Sequence, residues 1–399
     1  MIPDLTRRGF LTRSTLVGCS AAASPLLTRV SFAAAPWDTR LVVIILRGGM
    51  DALDVVRPHG DPDYAGARKR LLRPEDPVID LDGFYALHPA LQPLLPLWRA
   101  GELGAVQAVA TPYRDKRSHF DGQDLLEAGS MGLGDVAGGW LNRAMGQVPG
   151  VSARTGFALG HGEMKLLAGD TSVTDWYPDT ALLLSPQAAL LAEQMMAEDP
   201  LFHGAYAQAM ALMGDGQEGE AGADGPAKGH RSRVSEHVNI ANYAAEQLRG
   251  EARVVGFSLN GWDTHRAQTK GLTRALKRLS QTILTLKREL GAPVWGKTVV
   301  LAMTEFGRTV RQNGTGGTDH GTGGALLFAG GAVRGGQVLG DWPGLQESAL
   351  LDRRDLMPTA DLRAYVAGVL QGVAGLDRST LERTVFPGLD MGGQTGLLL

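Results

Sequence analysis

The sequence predicts an α/β fold, a mostly parallel central sheet flanked by helices on both faces, and three observations lead there. Leu41–Leu46 is an unbroken run of branched apolar residues, the pattern of a strand buried on both faces. Strand-like runs then alternate with helix-length segments, as in a sheet whose crossovers are helical. Several of the runs end in glycines and polar residues with ligand chemistry, which fits a site at the carboxyl edge of an open sheet.

The chain has 399 residues, 44% of them hydrophobic, enough for a large core. Its 54 glycines favour many tight loops. The first 33 residues read as a twin-arginine signal peptide. Thr6-Arg7-Arg8-Gly9-Phe10-Leu11 matches the motif, an apolar stretch runs from Ser14 to Leu27, and Ser31-Phe32-Ala33 places small residues at a cleavage site. The expected location is therefore periplasmic or secreted, with the twin-arginine translocase as the export partner. Leu16-Val17-Gly18-Cys19 also has the form of a lipidation site, although Arg13 leaves it a short apolar run.

Cys19 is the only cysteine, so the mature chain has no disulfide, thiolate metal site or cysteine nucleophile. The net charge is −3 for the whole chain and about −6 once the basic leader is removed, and no basic patch interleaved with aromatics occurs. That excludes a nucleic-acid binder of the usual kind. Beyond the leader no uncharged apolar run reaches the roughly 18 residues of a membrane span.

Taken in order, the mature chain (34–399) opens with the strand Leu41–Leu46 and the turn Arg47-Gly48-Gly49-Met50-Asp51. A helix is expected over Pro89–Ala100, a second strand over Leu103–Val109, and a helix from Ser118, a favoured N-cap, through Glu127. The middle is less regular, with helices expected at Gln187–Ala197 and Leu201–Met213 and a flexible loop at 214–232. The α/β rhythm then returns. Helices are expected at Val234–Leu248, Gln268–Leu290 and Asp361–Leu370, and strands at Ala252–Ser258, Thr298–Met303 and Ala325–Ala329. The pattern is that of one domain with a loop insertion.

The ligand-type residues follow these strands. Asp51 comes after the first, Ser118 after the second, Asp263 and His265 after the third and Glu305 after the fourth, while Asp319 and His320 precede the fifth. Carboxylates and imidazoles brought to one edge would hold a divalent metal (Zn, Mn, Mg or Ca). Ser118 at a helix N-terminus would serve as nucleophile and Arg117 would hold an anionic oxygen of an ester substrate. Each residue also has a plainer use. Asp51 could cap its turn and Ser118 its helix, and Glu305 is placed either as a ligand or as a partner for Arg308 one helical turn on. Arg308 and Arg311 would bind substrate or line that helix. His119 reads as a surface residue, or one behind the ligands.

Five motifs occur together and in order: Arg47-Gly48-Gly49-x-Asp51, Arg117-Ser118-His119-Phe120-Asp121, Gly261-Trp262-Asp263-Thr264-His265, Glu305-Phe306-Gly307-Arg308-Thr309 and Gly317-Thr318-Asp319-His320-Gly321. With the twin-arginine leader they resemble the exported bacterial DUF1501 family, which resembles the alkaline phosphatase and sulfatase superfamily. The resemblance implies an alkaline-phosphatase-like fold and an exported metal-dependent hydrolase of phosphate or sulfate esters. In it Ser118 is the nucleophile and Asp51, Asp263, His265, Glu305 and His320 are the metal residues. The superfamily's Asp-His pair reads here as Glu305-Phe306, one imidazole short. Asp319 or His119 would replace it, or the site would hold a single metal. The same gap fits a second reading, a non-catalytic exported protein that uses the fold for binding or assembly at the cell envelope.

Overall fold

The computed structural model describes residues 37–399 except 74, 115–116, 161–163, 178–234 and 394–395. The expected signal peptide, the helices at 187–197 and 201–213 and the loop at 214–232 lie outside the described residues.

A nine-stranded sheet forms the centre. In chain order its strands are β1 (Arg40–Arg47), β2 (Leu103–Ala110), β3 (Gly156–Leu159), β4 (Thr174–Trp176), β5 (Val254–Asn260), β6 (Thr298–Met303), β7 (Gly324–Ala329), β8 (Val338–Leu339) and β9 (Ala360–Asp361). Across the sheet the order is β8-β2-β7-β6-β1-β5-β3-β4, and β9 also pairs with β2. Strand β1 lies between β6 and β5 and is parallel to both. All the remaining pairs are parallel except those of β7, which runs antiparallel to β2 and β6. The sheet is thus the mostly parallel one expected.

The continuous apolar run of β1 is explained by what covers it. Val42, Ile44 and Leu46 face a core built with α3 (Glu236–Arg249) and α4 (Gln268–Trp295). Leu41, Val43 and Ile45 face the opposite core, with α2 (Trp140–Gly146) and α5 (Leu362–Ala374). Successive side chains of a strand point to opposite faces, so a strand covered on both faces favours apolar residues at every position. Helix α1 (His119–Ala128) begins at the Ser118 cap as expected. The expected Pro89–Ala100 helix divides into a 3₁₀ turn, Pro89–Leu94, and a short α-helix, Leu95–Arg99. Pro93 and Pro96 remove the N–H groups that a continuous helix would use there. The expected Gln268–Leu290 helix extends past a break at Gly291, where φ is +66°. No helix among the described residues is long and apolar enough to cross a membrane.

The direction of β7 positions the site. Strands β1, β5 and β6 leave the sheet at one edge, and β7 enters it at that same edge. The loops after β1, β5 and β6 and the loop before β7 therefore share a side of the sheet. Ile44, fully buried at the middle of β1, tests the core directly. Ile44→Ala should cost about 2–5 kcal/mol in urea unfolding, with an unchanged denaturant slope.

Candidate metal centre

Strand β1 ends in a turn that only glycine allows. Gly48 has φ +123°, and a Cβ there would lie 2.4 Å from the backbone nitrogen of Asp263. The turn is thus in backbone contact with the loop after β5. Gly317 does the same for the loop before β7, since its Cβ would fall 2.2 Å from the Thr264 carbonyl oxygen.

Arg308 binds these turns together. Its side chain is fully buried, and it donates to the carbonyls of Gly49 (2.6 Å), Gly48, Thr318 (3.1 Å) and Trp262 (3.3 Å) and to Asp263 Oδ1 (2.7 Å). The residues after β6 do not form a helix, so Arg308 is not one helical turn from Glu305. Arg308 neither pairs with Glu305 nor reaches outward, and its charge is met by one carboxylate and four backbone oxygens.

Around Asp263 stand three imidazoles, each held by its Nδ1. His119 Nδ1 lies 2.8 Å from Glu305 Oε1, His320 Nδ1 lies 2.8 Å from the Arg117 carbonyl oxygen, and His265 Nδ1 lies 3.2 Å from Asp319 Oδ1. Each partner is an acceptor, which favours a hydrogen on Nδ1 and leaves Nε2 on the Asp263 side, where the His265–His320 contact needs a hydrogen on one of the two rings when no cation is bound. The three Nε2 atoms converge. His265 and His320 approach to 2.9 Å, His265 Nε2 is 3.2 Å and His320 Nε2 3.7 Å from Asp263 Oδ1, and His119 Nε2 is 3.5 Å from Asp263 Oδ2. His119 Nε2 is buried and has no hydrogen-bond partner. Ligand atoms of His119, Asp263 and His320 all lie within 4.8 Å of one another. An imidazole locked through one nitrogen by a carboxylate or carbonyl, with the other nitrogen aimed into a shared space, is the usual arrangement of a metal-binding histidine. Three imidazoles and a carboxylate suit Zn²⁺ or another transition metal better than Ca²⁺ or Mg²⁺, which take oxygen ligands.

Charge follows the same geometry. Hydrogen bonding to Glu305 raises the His119 pKa above the ordinary value, against a smaller opposing effect of burial. Burial would raise Glu305, but hydrogen bonds from His119, Gln123 (3.0 Å) and Thr304 outweigh it and hold the carboxyl below the ordinary value. Burial pushes His320 down to about 4, so this ring is neutral at pH 7. Burial would also raise Asp263, and the Arg308 hydrogen bond and charge turn that into a lowering.

Of the residues read from the sequence, Asp263, His265 and His320 meet in the cluster. Glu305, expected as a ligand or an Arg308 partner, instead stands behind His119, and it also accepts from the Gly48 N–H at 2.9 Å. Asp319 stands behind His265 and accepts from Asn313 at 3.1 Å. Asp51, also expected as a ligand, is fully buried and turned away from the cluster. Arg68 grips both its oxygens and Gln268 donates to it at 2.6 Å, so its charge is already compensated. Ser118 caps α1, its Oγ accepting from the Asp121 N–H at 3.3 Å. It lies between Arg117 and His119, both of which touch the cluster.

The donor that sequence reasoning set aside is His119. Its partner Glu305 is 186 residues away, so no local spacing marks the pair. The available signal was the imidazole missing at Phe306, for which His119 stood as one replacement. Phe306 is buried beneath the histidines, with ring centroids 5.1 Å from His119 and 4.9 Å from His320. It supports two imidazoles without supplying one.

The family model for DUF1501, a protein family of unknown function, matches residues 117–384. The chain belongs to the DUF1501 family. The match contains every residue of the DUF1501 cluster, including His119, and begins after β1 and β2. No curated protein matches the chain. Solved structures similar to it at low identity include these two. One is Ps i-CgsB in complex with k-i-k-neocarrahexaose, with 9% identity and a TM-score of 0.39, covering 86% of this chain and 74% of that one. The other is BT1596, a 2-O GAG sulfatase, with 11% identity and a TM-score of 0.33, covering 86% and 72%.

The His119–Glu305 pair gives a measurable pH dependence in metal-free protein. Glu305 is lowered, so its contribution is present above the ordinary glutamate value near 4.5 and is lost as pH falls through its folded value. His119 is raised, so its contribution is complete below about 6.5 and is lost as pH rises through its folded value. The urea stability lost in His119→Gln should therefore be greatest between about pH 4.5 and 6.5 and shrink on both sides.

Proposed function

We propose that this chain is an exported metal-dependent hydrolase of phosphate or sulfate esters. The observation that carries this reading is the buried, unpartnered Nε2 of His119, aimed with two other imidazoles at the Asp263 carboxylate. His119, Asp263 and His320 would hold one divalent cation, with His265 beside Asp263 and His320 as a further donor. When bound, the cation supplies Lewis-acid polarisation of the ester and compensates charge developing on its oxygens.

The remaining roles belong to the protein. Ser118 sits at the N-terminus of α1, where the first-turn N–H groups have no partner within the helix and favour an anion. Its hydroxyl accepts one hydrogen bond as the cap. The Ser118 N–H donates to the Tyr113 hydroxyl at 2.7 Å, which fixes the residue. The Arg117 side chain is 45% exposed and 3.9 Å from Asp355, and its guanidinium would be the group that holds an anionic oxygen of the ester. Glu305, Asp319 and the Arg117 carbonyl keep the three Nδ1 hydrogens in place. The signal motif at Arg7-Arg8 supports passage through the twin-arginine translocase, which moves folded chains, so a metal bound in the cytoplasm would travel with the protein.

The second reading, a non-catalytic envelope protein, is supported by Ser118 itself, because a cap alone accounts for a serine there. Two measurements decide between them. Metal analysis of the folded protein should find about one divalent cation per chain, and its affinity should rise with pH because the cation must displace the proton of His119. Absence of metal, together with no turnover of aryl phosphates or aryl sulfates, would remove the enzyme reading. Ser118→Ala should cost about 1 kcal/mol of stability through the lost cap under either reading. Only a nucleophile predicts that hydrolysis disappears while metal content stays.

A further inference from the structure

Beneath the imidazoles lies a second set of polar side chains, all buried, that none of the roles above uses. At its centre is Gln268, the first residue of α4, which has no exposed surface. Its Nε2 donates to Asp51 Oδ2 at 2.6 Å and lies 3.1 Å from Asp54 Oδ2. Its Oε1 accepts from Thr318 Oγ1 at 2.7 Å and from Thr264 Oγ1 at 3.1 Å. A side-chain amide has two hydrogens and two lone pairs, and all four are used. Because carboxylates only accept, the nitrogen must face Asp51 and Asp54, and the oxygen must face the two threonines.

The far side of this amide is fixed as firmly. Arg68 grips both oxygens of Asp51 and donates to the carbonyls of Thr309 and Val310 at 2.9 and 2.6 Å. Asp54 is held by Arg57 at 2.8 and 3.0 Å. The amide therefore cannot rotate without stranding charged groups in the interior.

What matters is where the threonines sit. Thr264 lies between Asp263 and His265, and Thr318 immediately precedes Asp319 and His320. A single carbonyl oxygen thus holds two loops, each at the residue beside a cluster donor. We propose that Gln268, locked by Asp51, is a positioning residue that sets the separation between the Asp263–His265 loop and the Asp319–His320 loop, and with it the cation affinity of the centre. This rests on the metal reading above. It gives Asp51, which does not reach the cluster, a defined part in it.

The test is a cobalt titration of the full chain, stripped of metal, followed by the visible absorption of bound Co²⁺. Thr318→Val and Thr264→Val keep the side-chain shape and remove the hydroxyl. Each should weaken Co²⁺ binding by about 10–100-fold and alter the absorption envelope. Thr318→Ser, which keeps the hydroxyl, should retain the parent affinity and spectrum. The double valine variant should lose less than the two single losses combined, because both hydroxyls serve one acceptor. If Thr318→Val does not fold, Thr264→Val, whose hydrogen bond is the longer, carries the same comparison. Folded valine variants with the parent's cobalt affinity and spectrum would overturn the proposal, even if they unfold at lower urea. A parent chain that binds no cobalt would overturn the metal reading and this proposal together, so the two failures are told apart by the parent alone.

Discussion

The buried guanidinium of Arg308 is the interaction on which the site depends. Four backbone carbonyls and one carboxylate, drawn from the turns after β1 and β5 and the loop before β7, converge on one side chain. A guanidinium suits this task because its donors form a rigid planar fork and keep their charge at any accessible pH. Removing it would leave several buried oxygens without donors at once, a heavier cost than losing one exposed ion pair. A lysine would be a poor replacement, as its three donors radiate from a single nitrogen.

The fold was readable because it rests on periodicity and on local chemistry. The unbroken run of β1 announces burial on two faces, the long α4 shows in its amphipathic pattern, and Ser118 marks the start of α1 by its capping chemistry. The carboxyl edge of the sheet could be named in advance for the same reason, since polar residues after parallel strands have few other places to go. What could not be read was which polar residues face one another. Asp51 and Asp263 look alike in the sequence, each an acid in a glycine-containing turn. They differ because Arg68 reaches Asp51 while Asp263 meets three imidazoles. Those partners come from distant segments, and no spacing rule connects them. His119 was passed over for a similar reason, its purpose being visible only once Glu305 and Phe306 are brought against it.

The site has two electrostatic layers. The inner layer, Arg68 with Asp51 and Arg57 with Asp54, is closed on itself and carries no surplus for a ligand. The outer layer is a carboxylate and three imidazoles arranged around a space that suits positive charge. The hydrogen bond to Glu305 raises the affinity of His119 for a proton, which brings positive charge to that space. The two layers meet through the neutral amide of Gln268, so mechanical coupling passes between them without a shared charge.

The boundary of the family match bears on the strand at the centre of the sheet. The match begins at residue 117, yet β1, which separates the two cores, ends at Arg47, and the turn after it supplies the Gly48 and Gly49 carbonyls to Arg308. The matched region is therefore smaller than the folded unit, which includes β1 and the turn after it. A fragment cut at the match would keep every cluster donor and lose the keystone between the two cores.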